Sequence, residues 1–98
     1  MFNNTFIMTN GVSITIGGNL LINIMQAVNV FSKPGELDTD YFLVIKCSND
    51  DNLQKIEISQ ECPIRKEVFH FEAGNIFEEK LWFIDDGDHS TLLYPEEY

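Results

Sequence analysis

The chain has 98 residues, 44% of them hydrophobic and eight of them Phe, which is enough for one packed core and too little for two. Its 6 Lys+Arg stand against 16 Asp+Glu, for a formal charge of −10. That balance argues against direct nucleic-acid binding and against docking on an anionic membrane, because both need cations to meet phosphate.

The charge is unevenly placed. Residues 1–32 hold no Asp, Glu, Lys, Arg or His and are rich in Asn and Ile. Charge depletion of this kind suits a strand covered on both faces or a subunit interface. Within this segment Val12, Ile14 and Ile16 alternate with Ser13 and Thr15, and Leu20, Ile22 and Ile24 follow Gly17-Gly18-Asn19. A three-residue turn would pair Ile16 with Leu20 and Ile14 with Ile22, bringing all six apolar side chains to one face. The expectation is therefore a β-hairpin. A helix competes over 19–31, where Leu21, Ile24, Met25, Val28 and Phe31 also make a helical stripe, but the β-branched and Asn content weighs towards strand.

Ser32-Lys33-Pro34-Gly35 is a breaker, followed by an acidic loop to Asp40. Tyr41–Cys47 and Leu53–Ser59 read as a hairpin around a turn at 49–52, with Ile45 opposite Ile56, Leu43 opposite Ile58, and Cys47 opposite Gln54. Cys62-Pro63 breaks the pattern. Glu67–Glu72 reads as a strand with Phe69 and Phe71 on one face and His70 on the other. Ala73-Gly74-Asn75 is a turn. Residues 76–84 fit a strand better than a short helix, Asp85-Asp86-Gly87-Asp88 closes it as a turn, and Thr91–Tyr94 is a last short strand ended by Pro95. These elements predict a single all-β domain over 1–98, with room for one short helix. The arrangement would be an antiparallel meander closing as a small sandwich or barrel.

Few residues carry a chemical signal. Asp85, Asp86, Asp88 and His89 cluster, but without the spacing of a calcium loop. His70, His89, Cys47 and Cys62 lack the short ligand spacing of a zinc site. Neither Cys is accompanied by the loop a nucleophile needs, and without a secretory signal both read as free thiols in a cytoplasmic protein. No spanning helix, cofactor motif or enzyme signature is present.

The function expected is therefore binding without catalysis. The partner would be a protein with a basic surface, such as a nucleic-acid-processing enzyme. Small acidic domains can mask such a surface by placing carboxylates where phosphates would sit, as bacterial immunity proteins and phage-encoded inhibitors do as a class; the analogy is one of composition. The candidate contact residues are Glu78, Glu79, Asp85, Asp86 and Asp88, with Trp82 as the aromatic anchor. Two alternatives stand beside this. One is a self-assembling scaffold whose subunits meet through residues 1–32; the other is a β-barrel that binds a small ligand or sugar.

Overall fold

The computed structural model describes residues 5–32, 41–61, 64–86 and 89–98. The chain runs β1 (Thr5–Met8), α1 (Asn10–Thr15), α2 (Gly18–Phe31), β2 (Phe42–Asp50), β3 (Leu53–Glu61), β4 (Ile64–Phe71), β5 (Lys80–Asp85), β6 (His89–Leu93) and a 3-10 turn, Pro95–Glu97. The strands form one sheet in the order β1-β6-β5-β2-β3-β4. All neighbours are antiparallel except β1 and β6, which are parallel.

The fold is mostly β, as the alternation predicts. The sheet is open, with β1 and β4 at its edges, and does not close into a barrel. Its second layer is helical. The hairpin expected around Gly17-Gly18 is replaced by α1 and α2, and 19–31 is helix rather than strand. Topology supplies the reason. Because β2 is antiparallel to β5, and β5 to β6, β2 runs parallel to β1. Parallel strands need a crossover that traverses the sheet, and a helix does this while satisfying its own backbone. The stripe Ile24, Ala27, Val28 and Phe31 then turns inward and is almost completely buried. At about 1.5–3 kcal/mol per large apolar side chain buried, that burial outweighs the weak strand preference of Ile and Val. Helix α1 is capped by Thr9, whose hydroxyl accepts from the Val12 N–H at 3.4 Å.

Alternation in the strands sends Leu43, Ile45, Ile56, Ile58, Leu81 and Phe83 towards the helices, all at most 1% exposed. The β2–β3 hairpin is offset by two residues from the expected register: Ile45 faces Ile58, Cys47 faces Ile56, and Asn49 faces Gln54. Its turn has only two residues, Asp51 and Asn52, both left-handed at φ 54° and 66°. Two left-handed central residues twist in the sense of the flanking strands, which favours this tight turn over the four-residue loop. An offset of two leaves every side chain on its expected face.

Gln54 is fully buried in this core. Its Oε1 accepts from Phe77 N–H at 2.8 Å and its Nε2 donates to Phe77 carbonyl at 2.9 Å, so it pins the β4–β5 connection to β3. Edge strand β4 starts at Ile64, earlier than expected, and directs Arg65 and Glu67 inward, a charge arrangement that resists pairing with stray strands. The Arg65 guanidinium lies 3.9 Å from the Phe31 ring centroid and donates to the Phe31 carbonyl at 2.5 Å, closing the end of α2. The expected breaks at 33–35 and at Cys62-Pro63, and the acidic loop to Asp40, lie outside the described residues.

Candidate functional site

The helices cover one face of the sheet. On the other face, alternation projects Phe42, Val44, Lys46 and Ser48 from β2 and Lys80, Trp82 and Ile84 from β5. Register sets their neighbours. Trp82 is flanked by Val44 and Leu93, and Phe42 by Ile84. The Trp82 ring lies 5.0 Å from Phe42 at an interplanar angle of 60°, and 5.6 Å from Tyr98 at 71°. Tyr41 packs edge-on to Phe42 at 6.3 Å. Tilted and edge-on aromatic pairs at these spacings are attractive beyond the area they bury. A hollow of about 460 Å³ opens beside them, bordered by Tyr41, Phe42, Val44, Ser59, Lys80 and Trp82.

The same face gathers lysines. Lys46 sits directly across from Lys80 on one side and Glu57 on the other. Lys55 is paired across the sheet with Ser48 and His70, and Lys66 with Ser59. Four of the chain's 6 basic residues thus share this face with Asp50, Glu57 and Glu61. Among the described residues none of the four lysines lies within 4.0 Å of a carboxylate; Asp50 instead meets His70 Nε2 at 2.8 Å. In a chain of charge −10, the middle of this face is close to neutral.

The predicted contact residues do not form one patch. Glu78 and Glu79 precede β5 and Asp85 ends it, so roughly 20 Å of strand lies between the two groups. Trp82 stands midway, among aromatics and lysines rather than carboxylates. Glu79 is exposed, and its carboxylate lies near the Tyr94 hydroxyl. That hydroxyl also meets Thr15 Oγ1 at 2.5 Å, and burial followed by the nearby carboxylates pushes the Tyr94 phenol above its ordinary pKa despite the Thr15 bond. The Asp86 carboxylate accepts from the His89 N–H at 3.0 Å and faces its ring at 3.2 Å, making a local turn. Asp88 and Gly87 lie outside the described residues.

The remaining chemical candidates take structural places. Cys47 is a free thiol, 5% exposed, and burial raises its pKa to about 12, which keeps it a neutral small hydrophobe. Cys62 is outside the described residues. His70 projects away from Phe69 and Phe71, as the strand pattern predicts. Among the described residues no three His, Cys, Asp or Glu side chains group as a metal site would require, and no helix is long and apolar enough to cross a membrane.

Sequence reasoning missed Phe42, Lys46 and Lys80 as neighbours of Trp82. The parity of β2 and β5 carried that signal, since both strands send their odd-numbered residues inward. It also missed Glu97, which reads in the sequence as part of a frayed acidic tail. Its carboxylate accepts from Thr9 Oγ1 at 2.6 Å, Tyr94 N–H at 3.0 Å and Gly11 N–H at 3.1 Å. The Thr9 bond first, then the backbone donors, hold this carboxyl below the usual glutamate range. Pro95 followed by Glu96-Glu97 is a helix-start pattern that could have revealed it.

No protein-family model matches the chain, and no curated protein matches it in sequence. Among solved structures, the crystal structure of a protein of unknown function from Enterococcus faecalis is similar, with a TM-score of 0.80 over 98% of this chain and 92% of that chain. At 18% sequence identity the likeness establishes a shared fold and leaves the function to be argued from the surface.

Proposed function

We propose that this chain is a non-enzymatic, cytoplasmic protein-binding module that seats a protein partner on the open face of its sheet, with Trp82 as the central anchor. One observation carries the reading: the face the helices leave uncovered holds a cluster of half-buried aromatics, Phe42 and Trp82, rimmed by charge. Aromatic anchors inside a polar rim are where interfaces concentrate their energy. Glu78 and Glu79 flank one end of β5; Asp85 and Asp86, with Asp88 following in the chain, flank the other. A partner basic at its margins would meet carboxylates at both ends, and the net charge of −10 would steer it in. The inhibitor and immunity-type reading is the form of this proposal in which the partner is an enzyme with a basic cleft. The open sheet offers no barrel interior to a sugar or small ligand.

Trp82 is the chain's single Trp, so its emission reports on this face. The test is affinity capture and titration with purified candidate partners, followed by Trp emission at low and high salt. The expected result is an emission change on binding, lost partner as salt rises, and lost binding in Trp82→Ala. Binding that survives both Trp82→Ala and charge reversal of Glu78, Glu79, Asp85 and Asp86 would overturn the proposal. So would saturable quenching of Trp82 by single-stranded RNA with no protein partner captured, because aromatics and lysines on a sheet also suit nucleic acid.

A further inference from the structure

The outer surface of the helix layer poses a separate problem. A solvated amphipathic helix ordinarily places charged residues opposite its buried stripe. Helix α2 places Asn19, Ile22, Gln26, Asn29 and Val30 there, and α1 adds Ile14. Ile14 is 82% exposed, Ile22 56% and Val30 55%. No residue of 1–32 is charged, whereas most exposed residues from Lys46 onward are polar or charged.

We infer that this surface is the interface of a symmetric dimer, its occupant a second copy of the chain. Electrostatics selects the occupant. Two molecules of charge −10 repel, and the repulsion is least where neither contributes a carboxylate. The outer surface of α1 and α2 meets that condition for two copies at once, with Glu72 at its margin beside the hollow that Ile22 borders. Charge depletion with exposed aliphatics is the composition of a subunit interface core.

Two hollows adjoin the exposed aliphatics. Ile22 borders a hollow of about 630 Å³ between the first turns of α2 and the 72–77 connection. Val30 borders a second hollow of about 540 Å³, where α2 stands over Phe69 and Phe71 of β4. A two-fold axis through this face would set Ile22 and Val30 of each copy against the same surface of the other. Asn19, Gln26 and Asn29 supply amides, which are donor and acceptor together and can pair with their own kind across that axis.

Sedimentation and light scattering of the full chain decide the matter. The expected particle has twice the 11.3 kDa chain mass. Added salt should tighten the dimer, because it screens the repulsion and leaves apolar contact intact. Ile22→Glu with Val30→Glu should give a monomer whose circular dichroism and Trp82 emission match the parent. Both side chains are exposed in the single chain, so the fold tolerates the change. A monomer at every concentration overturns the inference. So does a dimer that survives Ile22→Glu/Val30→Glu, or one that Trp82→Ala dissolves. Partner capture by the double variant is independent of these outcomes and continues to report on the open sheet face alone.

Discussion

The molecule has two broad surfaces built on opposite principles. The outer helix surface is uncharged, aliphatic and amide-rich, with Ile14, Ile22 and Val30 exposed. The open sheet face is aromatic and charged, with Trp82 and Phe42 beside four lysines. Carboxylates populate the turns and ends between them. Contact at an uncharged surface gains strength as salt rises, while steered contact at a charged one loses it. One molecule can therefore hold two kinds of neighbour whose responses to ionic strength have opposite sign.

The largest expected effect tests whether the two surfaces depend on one core. Phe31 is fully buried and anchors α2 over the sheet beneath the Arg65 guanidinium. Phe31→Ala should cost about 3–5 kcal/mol, measured by urea unfolding. Domains of this kind have about 5–15 kcal/mol in all, so both binding behaviours should weaken together. A loss under about 1 kcal/mol would mean the helix layer is only loosely coupled to the sheet.

Trp82→Ala should separate the surfaces. Partner affinity is expected to fall by about 2 kcal/mol or more, the scale of an interface hot spot, read by calorimetry. Dimer mass should be unchanged. Equal losses in both assays would show that a single surface serves both contacts. Salt titration is the next discriminator: partner affinity and dimer affinity should move in opposite directions between low and high ionic strength. Parallel movement would break the contrast.

The smallest effect concerns the Glu97 cap. Its carboxyl pKa is lowered in the folded chain, so between that value and the unfolded one, near 4.3, the unfolded state binds more protons. Stability from this group is complete above the unfolded value and is lost as pH falls through the folded one. Melting curves across the acid range should show a shallower decline in Glu97→Gln. Gly11→Ala should mimic it, because a Cβ there would lie 2.6 Å from Glu97 Oε2 and displace the carboxylate from its donors. An unchanged acid slope in both variants would exclude Glu97 as the group concerned.

The sequence was most readable where one period ran unopposed. Lys55 to Ile58 and Val68 to Phe71 alternate cleanly, and their faces are as expected. Segment 12–31 fits two periods at once, because Ile24 belongs to both the strand-like series Leu20-Ile22-Ile24 and the helical series Ile24-Val28-Phe31. The choice was made by the parallel relation of β1 and β2, a long-range fact that no local window contains. The β2–β3 offset came from Asp51-Asn52, whose left-handed backbone shortened the turn. At the candidate site the sequence singles out Trp82, but its neighbours in the sequence are not its neighbours in space. Glu78, Glu79, Asp85 and Asp86 follow the strand away from it, and its true company arrives from β2 and the C-terminal turn.

During synthesis the uncharged helices emerge after β1 and before every other strand of the sheet. Helix α1 then waits for β6, on which it packs and with which β1 pairs, and for Glu97, which closes its start, whereas α2 can settle once β3 and β4 are made. Loop closure from β1 to β6 delays that step, while β2, β3 and β4 can zip as local hairpins. The uncharged start of the chain, β1 and α1, thus stays unshielded until β6 follows. That places its greatest risk of aggregation in the interval before β6 emerges.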